Sequence, residues 1–361
     1  AVIGGGPTGM SAAYFVGRAG IPVTLFEKAD RLGGIVRQVI PAFRISDEAI
    51  DKDVALMEKM GVEVKLNTEA PSVAELKAQG YTHIFFAVGA WKAGRLDIPG
   101  NVVPVIGWLR DMKAGKDVSL GHVAVVGGGN TAMDAARAAL RAGAKSSTLV
   151  YRRTKKYMPA DAEELEMAIA DGVEFLELVA PVEQKDGKLI CEKMKLGDPD
   201  DKGRRKPVPT GEMVEIPCDT VVSAVGEKVE SEVFTRNGIT VDEKGIPAFK
   251  TNLEGVYAGG DAMRGPATVV EGIADAQYFA NAVIGEAHKF AIPAKAVATR
   301  EEAVAKKGVL CESAKCEGNR CLTCNVVCQV CADVCPNRAN VVIELPDGRQ
   351  QILHVDRMCN E

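Results

Sequence analysis

The chain has 361 residues, of which 47% are apolar and 26% charged, and its formal net charge is −5. This composition is typical of a globular protein, and the length allows two or three domains. The absence of a basic stripe argues against nucleic acid as a partner. The most apolar run, residues 84–91, is too short to span a bilayer, and no secretory leader is recognisable. We therefore expect a cytoplasmic protein without membrane insertion.

The first thirty residues follow the order strand, glycine-rich turn, helix, strand. Residues 1–3 form an apolar strand that leads into Gly4-Gly5-Gly6-Pro7-Thr8-Gly9. A helix is expected over residues 10–19 and a second strand over 21–26. The first residues already resemble the middle of a strand, and the sequence stops just after Cys359, inside what looks like another cysteine motif. We therefore expect the sequence to be part of a longer protein.

The same order of elements returns at residues 121–151. A strand over 122–126 leads into Gly127-Gly128-Gly129-Asn130-Thr131-Ala132, and a helix over 133–142 precedes a strand over 147–151. A strand, a glycine turn and a helix N-terminus together form the pyrophosphate site of a dinucleotide-binding unit. The internal repeat therefore predicts two such units in one chain.

A third segment indicates how the two units are connected. Residues 255–261 form a strand that ends in Gly259-Gly260-Asp261, and a helix is expected over 268–284. This segment returns the chain to the first unit. The predicted fold class is α/β, with two nested Rossmann-like units, the second inserted in the first. The expected bounds are 1–107 with 227–290 for the FAD unit, 108–226 for the NAD(P)H unit, and 291–361 for a linker and a truncated ferredoxin-like tail. The polar stretch 185–215 predicts hairpins within the second unit.

The first unit has the features of an FAD site. Its glycines allow the tight turn and the close approach of a pyrophosphate, and Glu27 ends the second strand, where a carboxylate accepts hydrogen bonds from a ribose. Asp261 suits a ribityl hydroxyl, although a turn or cap residue is the alternative reading. The predicted cofactor contacts in this unit are Gly4, Gly6, Pro7, Thr8, Gly9, Glu27, Lys28, Gly33, Gly34, Arg44, Ala87, Gly89, Gly260, Asp261, Thr268 and Val269.

The second unit has arginines where an NAD site carries an acidic residue. Its second strand ends in Tyr151-Arg152-Arg153, and guanidinium groups pair well with the 2′-phosphate of NADPH. We therefore predict NADPH in preference to NADH. A solvated basic turn, continued by Lys155 and Lys156, is the alternative. The predicted cofactor contacts in this unit are Gly127, Gly129, Asn130, Thr131, Ala132, Arg152, Arg153, Ala224 and Gly226.

Eight of the ten cysteines lie between Cys311 and Cys359. The spacing through Cys335 and Pro336 matches the second half of a bacterial ferredoxin run, which predicts [4Fe–4S] clusters, with zinc as the alternative. Because the ligand sets are incomplete in this length of chain, we expect the clusters to be absent or replaced by zinc or disorder. The predicted metal ligands are Cys321, Cys324, Cys328, Cys331, Cys335 and Cys359.

Residues 1–290 resemble the FAD/NADPH module of the glutamate synthase small subunit, which also occurs in dihydropyrimidine dehydrogenase. The resemblance is carried by 4–9, 32–34 with 40–44, 127–134, 151–153 and 259–261. The segments 320–328 and 334–340 resemble the end of the selenate reductase subunits of this family, which have a ferredoxin-like tail. The iron–sulfur domain that normally precedes the FAD fold in this family is absent from the sequence.

The resemblance implies transfer of reducing equivalents from NADPH to FAD and then to iron–sulfur clusters, with the acceptor on further domains or subunits. No catalytic acid or base is predicted, because the flavin supplies the chemistry. Neither unit contains a Cys-x2-Cys pair, which argues against an active disulfide. Two alternatives remain open at this point: a transhydrogenase or electron-bifurcating subunit, and a non-catalytic scaffold with a zinc-binding tail.

Overall fold

The structure, a computed structural model, describes residues 1–118, 120–199 and 205–285, together with two backbone strands in the C-terminal region. The chain divides into two compact units, Ala1–His288 and Lys289–Glu361. In the second of these, the described strands Asn340–Glu344 and Gln350–His354 pair antiparallel.

The strands of the first compact unit are β1 (Val2–Ile3), β2 (Thr24–Phe26), β3 (Glu63–Lys65), β4 (Ile84–Phe86), β5 (Lys92–Ala93), β6 (Val102–Pro104), β7 (His122–Gly127), β8 (Ser146–Tyr151), β9 (Glu174–Glu177), β10 (Val179–Lys185), β11 (Lys188–Pro199), β12 (Arg205–Pro217), β13 (Thr220–Ala224), β14 (Glu227–Lys228) and β15 (Val256–Ala258). Its helices are α1 (Pro7–Arg18), α2 (Gly34–Gln38), α3 (Asp47–Glu58), α4 (Val73–Ala78), α5 (Val105–Lys113), α6 (Asn130–Arg141), α7 (Ala162–Ala170), α8 (Glu232–Thr235), α9 (Asp261–Arg264) and α10 (Val269–Ile284), with a single 3-10 turn at Lys155–Tyr157.

The first sheet is parallel and has the strand order β15-β4-β1-β2-β3. Helices α1 and α10 pack together beside it, and small side chains such as Ala12, Ala13 and Ala276, all fully buried, allow the close approach. Helix α10 begins with a capping box, in which Thr268 and Glu271 each accept a hydrogen bond from the other's backbone N–H.

The second sheet is also parallel, with the order β6-β13-β7-β8-β9. Its core includes Trp108, Met133 and Leu149, and helix α6 presents a continuous row of buried alanines to it. Strand β6 belongs to this sheet, although residues 102–104 were assigned by sequence to the first unit. The stretch 185–215 contributes to the antiparallel sheet β10-β11-β12, in agreement with the predicted hairpins.

The chain passes between the two parallel sheets at an antiparallel ribbon of β5 and β14, in which Lys92 faces Lys228 and Ala93 faces Glu227. Strand β15, which pairs with β4 in the first sheet, comes from the part of the chain that follows the second sheet. The predicted fold class, two nested Rossmann-like units, is confirmed, whereas the cysteines of its ferredoxin-like tail fall outside the described residues.

Candidate functional site

The carboxyl edge of the first sheet gathers most of the residues predicted for the FAD site. Strands β1, β2, β4 and β15 are parallel, so the segments that follow them all meet at one edge. The N–H of Gly33 donates to the carbonyl of Gly5 at 2.8 Å, and a Cβ on Gly34 would lie 2.7 Å from Cα of Gly6. Thr8 contacts the returning segment, because a Cβ on Gly260 would lie 2.3 Å from its Oγ1. The two glycine turns and the Asp261 turn therefore form one cradle.

The three glycines of the first turn are required for different reasons. Gly4 has a φ of +102°, and a Cβ on Gly9 would lie 1.8 Å from the carbonyl oxygen of Gly4. At Gly6, by contrast, an added Cβ meets nothing nearer than 3.8 Å. The protein itself does not require glycine at position 6, so the open space fits the approach of a ligand to the N-terminus of α1. No side chain caps that helix, whose N–H groups begin at Thr8 because Pro7 has none, and free N–H groups at a helix N-terminus favour a phosphate.

Glu27 and Asp261 provide carboxylates at this edge. Glu27 is buried, and its two oxygens accept hydrogen bonds of 2.7 Å from the N–H groups of Gly5 and Ala29. It thereby fixes the glycine turn, a role that the sequence analysis did not foresee. Asp261 accepts from the N–H of Ala267 at 3.1 Å, and burial raises its pKa to about 6. The neighbouring Lys28 is exposed at the rim.

Asp275, on α10, supports the Asp261 turn and was missed by the sequence analysis. Its carboxylate is 2% exposed, accepts from the N–H of Gly260 at 2.8 Å and forms an ion pair with Arg264. An aspartate within an amphipathic helix pattern gives no signal of such a contact. The N-cap Thr268 and the following Val269 are exposed where α10 begins.

The carboxyl edge of the second sheet repeats this arrangement. A Cβ on Gly127 would lie 2.2 Å from the carbonyl oxygen of Ala224, so these two predicted residues are in contact. At Gly129 an added Cβ would meet nothing within 4 Å, and α6 begins there without a side-chain cap. Ala132, in the first turn of α6, is fully buried. As at Gly6, the space beside the Cα of Gly129 is empty of protein atoms, and a bound ligand could occupy it.

Asn130 and Thr131 form the first turn of α6. The amide of Asn130 donates to Asp161 at 3.2 Å and accepts from the backbone N–H of Asp161 at 3.1 Å. Its side chain thus connects the glycine turn with the start of α7. Thr131 is half-buried beside it.

Arg152 and Arg153 follow β8 at the carboxyl edge of the second sheet. Arg152 is exposed and Arg153 half-buried, and neither guanidinium forms an ion pair or hydrogen bond with the described residues. The Nε of Arg153 is shielded from solvent without a partner. Two unpaired guanidinium groups beside a dinucleotide turn suit a phosphate monoester.

The connection from the second parallel sheet to the ribbon of β5 and β14 places Glu227 between the carboxyl edges of the two parallel sheets. Ala224 ends β13, the carbonyl of Gly226 accepts from the N–H of Gly94 at 2.6 Å, and Glu227 follows in β14. Its Oε1 is buried without a hydrogen-bond partner, and burial, together with the nearby Asp261, raises its pKa. The sequence analysis missed Glu227, since a Gly-Glu pair after a strand is common.

The remaining predicted contacts lie around the same junction. Ala87 and Gly89 follow β4, and the carbonyl oxygen of Ala87 would be 2.4 Å from a Cβ on Gly4. Gly89 has a φ of +73°. Arg44 is placed between the units, where its guanidinium contacts Asp134 and Glu164. A contact between Arg44 and a cofactor stays a prediction.

The cysteines of the described part do not form a redox pair. Cys191 and Cys218 are both fully buried and free, and burial raises the pKa of their thiols to about 12 and about 11. A thiol that stays protonated is a poor nucleophile. The predicted ligands between Cys321 and Cys359 lie outside the described residues, within which no group of side chains suits a metal ion. Within the same residues, no helix combines the length and apolarity needed to cross a membrane.

Two parallel sheets, each with a glycine turn and an uncapped helix N-terminus at its carboxyl edge, define a two-dinucleotide oxidoreductase. The chain belongs to the pyridine nucleotide-disulphide oxidoreductase family, whose model matches residues 1–276. It is accordingly an NAD(P)H-dependent flavoprotein oxidoreductase.

Relatives agree with this assignment, and a solved structure agrees with the fold. The YgfK oxidoreductase of Escherichia coli (strain K12) is 40% identical, with 100% of this chain and 38% of that protein covered. The glutamate synthase [NADPH] small chain of Halomonas elongata is 33% identical, with 76% of this chain and 64% of that protein covered. FprA of Mycobacterium tuberculosis in complex with NADPH superposes with a TM-score of 0.64 at 21% identity, over 78% of this chain and 83% of that structure. The predicted resemblance to glutamate synthase small subunits is confirmed.

This chain covers only part of most of these proteins. It spans about two fifths of the length of YgfK and less than two thirds of the glutamate synthase chain.

Proposed function

We propose that the chain is the electron-input module of a larger redox enzyme, which oxidises NADPH and delivers electrons to iron–sulfur clusters and an acceptor on further domains or subunits. The observation that carries this proposal is the pair of open glycines, Gly6 and Gly129, one at each helix N-terminus. The names of the relatives, among them a glutamate synthase small chain, support a role as a subunit.

The residues of the first cradle fit FAD. The N-terminus of α1 with Gly6 would hold the pyrophosphate, Glu27 the adenosine ribose and Asp261 the ribityl chain. When bound, the flavin supplies the redox chemistry by accepting two electrons from NADPH and releasing them singly. The protein's part is to bind and orient: Asp275 fixes the Asp261 turn, and the uncapped N–H groups of α1 would stabilise the phosphates of the bound cofactor.

The second cradle fits NADPH. Gly129 and the N-terminus of α6 would hold its pyrophosphate, and Arg152 with Arg153 its 2′-phosphate. Because β6 pairs with β13, we place the start of this unit before Val102, while 227–290 return to the FAD unit. The segment from residue 291 onward would carry the clusters, with Cys321, Cys324, Cys328, Cys331, Cys335 and Cys359 as ligands when the remaining thiolates are present.

The test is a visible absorption spectrum of the purified protein, recorded before and after anaerobic addition of NADPH and, separately, NADH. We expect flavin bands that bleach faster with NADPH. Equal bleaching by NADH would remove the proposed role of Arg152 and Arg153 but keep the module. A colourless protein that takes up no added FAD would overturn the proposal.

The affinity for FAD is expected to depend on the ionisation of Asp261. Burial raises the pKa of this carboxyl to about 6, while the N–H of Ala267 and Arg264 oppose the rise and Glu271 adds to it. The ionised form accepts a ribityl hydrogen bond and predominates above this pH. Below it the carboxyl is neutral, so the affinity should fall by up to about tenfold per pH unit.

Fluorescence titration of FAD from about pH 8 to about pH 5 measures this dependence. The Asp261→Asn variant is the control, since it cannot titrate and should show a flatter profile with weaker binding at neutral pH. A wild-type dissociation constant that is as flat as that of the variant would contradict the assignment.

A further inference from the structure

The stretch 35–44, called here the bridging segment, belongs by chain order to the flavin unit but packs on the core of the other unit. It directly follows Gly33 and Gly34 of the first cradle. Val39 is 2% exposed and lies in the same hydrophobic cluster as Trp108, Met133 and Leu165. Ile35 and Phe43 pack against this cluster from the side. The segment that completes the first cradle is therefore anchored in the second.

Polar contacts hold the backbone of the bridging segment to α5. The ammonium group of Lys113, at the end of α5, donates to the carbonyls of Ile40 at 2.5 Å and Val36 at 3.3 Å. These carbonyls lie at the end of α2 and just beyond it, where helical partners are lacking. One side chain of the second unit thus satisfies two backbone acceptors of the first.

Phe43 lies against two arginines of α6. The guanidinium carbons of Arg137 and Arg141 are 4.9 and 4.5 Å from the centre of its ring, within the range of cation–π contacts. Both arginines also form ion pairs with Asp171 at 2.8 Å. These ion pairs restrict the positions of both guanidinium groups over the ring.

Arg44 connects α6 and α7. Its Nε is 2.9 Å from a carboxylate oxygen of Asp134, and its Nη1 contacts Glu164. The side chains of Asp134 and Glu164 are 9% and 12% exposed, so solvent screens these pairs less than surface ion pairs. Together with Arg137, Arg141 and Asp171, three cations face three anions, and Asp161 adds a further negative charge near Arg44.

The bridging segment thus joins the two proposed cofactor sites over a few residues. Its beginning adjoins the glycines that touch Gly6. Its end contacts α6, whose first turn follows Gly129, and Asp134 lies one turn further along that helix. Two domains joined by a thin connection ordinarily rotate against each other. Here the apolar anchor at Val39 and the charged cluster at Arg44 oppose such a rotation.

We propose that Phe43 and Arg44 are positioning residues, which hold helix α6 in one orientation against the flavin unit, so that electron transfer from pyridine nucleotide to flavin proceeds without rotation of one unit against the other. The proposal rests on the function proposed above for the two cradles. Arg44 acts through Asp134 and Glu164, and the helix it fixes carries the N-terminus at which NADPH would bind.

Hydrogen exchange in the protein without added nucleotide gives the first test. The N–H groups of Val39 and Ile40 donate to the carbonyl of Ile35 at 2.9 and 3.0 Å and should exchange slowly. In Arg44→Gln we expect their exchange to accelerate by at least about tenfold, with α1 unchanged. The matched control is Arg31→Gln, since Arg31 also pairs with two carboxylates, Asp47 and Asp51, but is half exposed and contacts only its own unit. Unchanged exchange in Arg44→Gln would overturn the proposal.

Rapid-mixing reduction of the bound flavin gives the second test. The wild-type rate at saturating NADPH should be independent of solvent viscosity. Arg44→Gln and the milder Phe43→Leu should reduce the flavin about tenfold more slowly and in a viscosity-dependent manner. Phe43→Leu, which changes no predicted cofactor contact, should in addition keep the wild-type FAD content and NADP⁺ affinity. A wild-type rate that falls with viscosity, or variants with wild-type rates despite fast exchange, would overturn the proposal. A protein that binds no FAD would instead refute the proposed function, while the exchange result would still stand.

Discussion

Replacing Gly6 by alanine is expected to leave the chain folded while lowering its affinity for FAD by about 100-fold, or about 2.7 kcal/mol. The backbone at Gly6 has a φ of −75°, which any residue adopts, and the new methyl group would contact only Cα of Gly34 at 3.8 Å. A bound pyrophosphate would have to occupy the same space, and forcing a methyl group into a filled contact typically costs about 1–3 kcal/mol. Isothermal titration of the cofactor-free protein with FAD measures the loss.

The free energy of unfolding should change by less than about 1 kcal/mol in Gly6→Ala, because the weaker N-cap and the stiffer unfolded chain act in opposite directions. The contrasting variant is Gly9→Ala, whose methyl group would lie 1.8 Å from the carbonyl oxygen of Gly4. That variant should lose about 3 kcal/mol or more of its free energy of unfolding. If Gly6→Ala bound FAD normally, the first cradle would not hold a pyrophosphate.

Gly129→Ala applies the same logic to the second cradle and serves as the matched control for specificity. Its φ is −96°, and the added methyl group meets no atom within 4 Å. This variant should keep FAD and lose affinity for NADP⁺. A loss of both cofactors in either variant would show that the two cradles are not separate sites.

Replacing Arg152 and Arg153 by alanine is expected to weaken NADPH binding by about tenfold for each residue, or about 1.4 kcal/mol, and to leave NADH binding unchanged within about twofold. Neither guanidinium has a protein partner among the described residues, so its removal breaks no internal contact. A charge-assisted hydrogen bond to phosphate contributes about 1.5–3 kcal/mol, of which competing water and salt remove part. Dissociation constants for NADP⁺ and NAD⁺ at two salt concentrations test this, since the affinity for NADP⁺, which carries the extra phosphate, should fall more steeply with salt.

Lys155→Ala and Lys156→Ala provide the controls for this prediction. These exposed lysines lie in the 3-10 turn that follows the arginines and carry the same charge. If the whole turn attracted the nucleotide only by its net charge, all four variants would weaken NADPH binding alike. Equal losses for NADPH and NADH would likewise exclude a 2′-phosphate contact.

The fold was predictable to the extent that it depends on local patterns. The glycine turns at 4–9 and 127–132 each combine a buried strand, a tight turn and a small-residue helix, and this combination has few other uses. The helix expected over 10–19 is observed as Pro7–Arg18, and the one expected over 133–142 as Asn130–Arg141. The helices begin earlier because their first turns contain the residues that the pattern assigned to the loop, a common uncertainty at helix ends.

The parts of the site that sequence could not predict depend on contacts between distant residues. Asp275 fixes the turn at Gly260, which lies 15 residues earlier in the chain. The carboxylate of Glu27 accepts a hydrogen bond from the backbone N–H of Gly5, which lies 22 residues earlier. Val39 is one apolar residue in a short, irregular stretch, and nothing near it in the chain indicates that it is buried in the other unit. Such contacts follow from the relative placement of the sheets, on which local periodicity carries no information.

The ribbon of β5 and β14 brings together the two points at which the chain enters and leaves the second unit. The chain enters and leaves it at Lys92 and Lys228, which face each other in an antiparallel pair, where Cα atoms lie about 5 Å apart. A two-residue turn could close that gap without rerouting any strand of the first sheet. A different nucleotide unit inserted at this point would nevertheless have to supply an apolar surface that buries Val39 and two carboxylates that pair with Arg44. Whether a flavin unit fits a foreign nucleotide unit thus depends on the contacts of Val39 and Arg44, which lie away from the ribbon where the chains are joined.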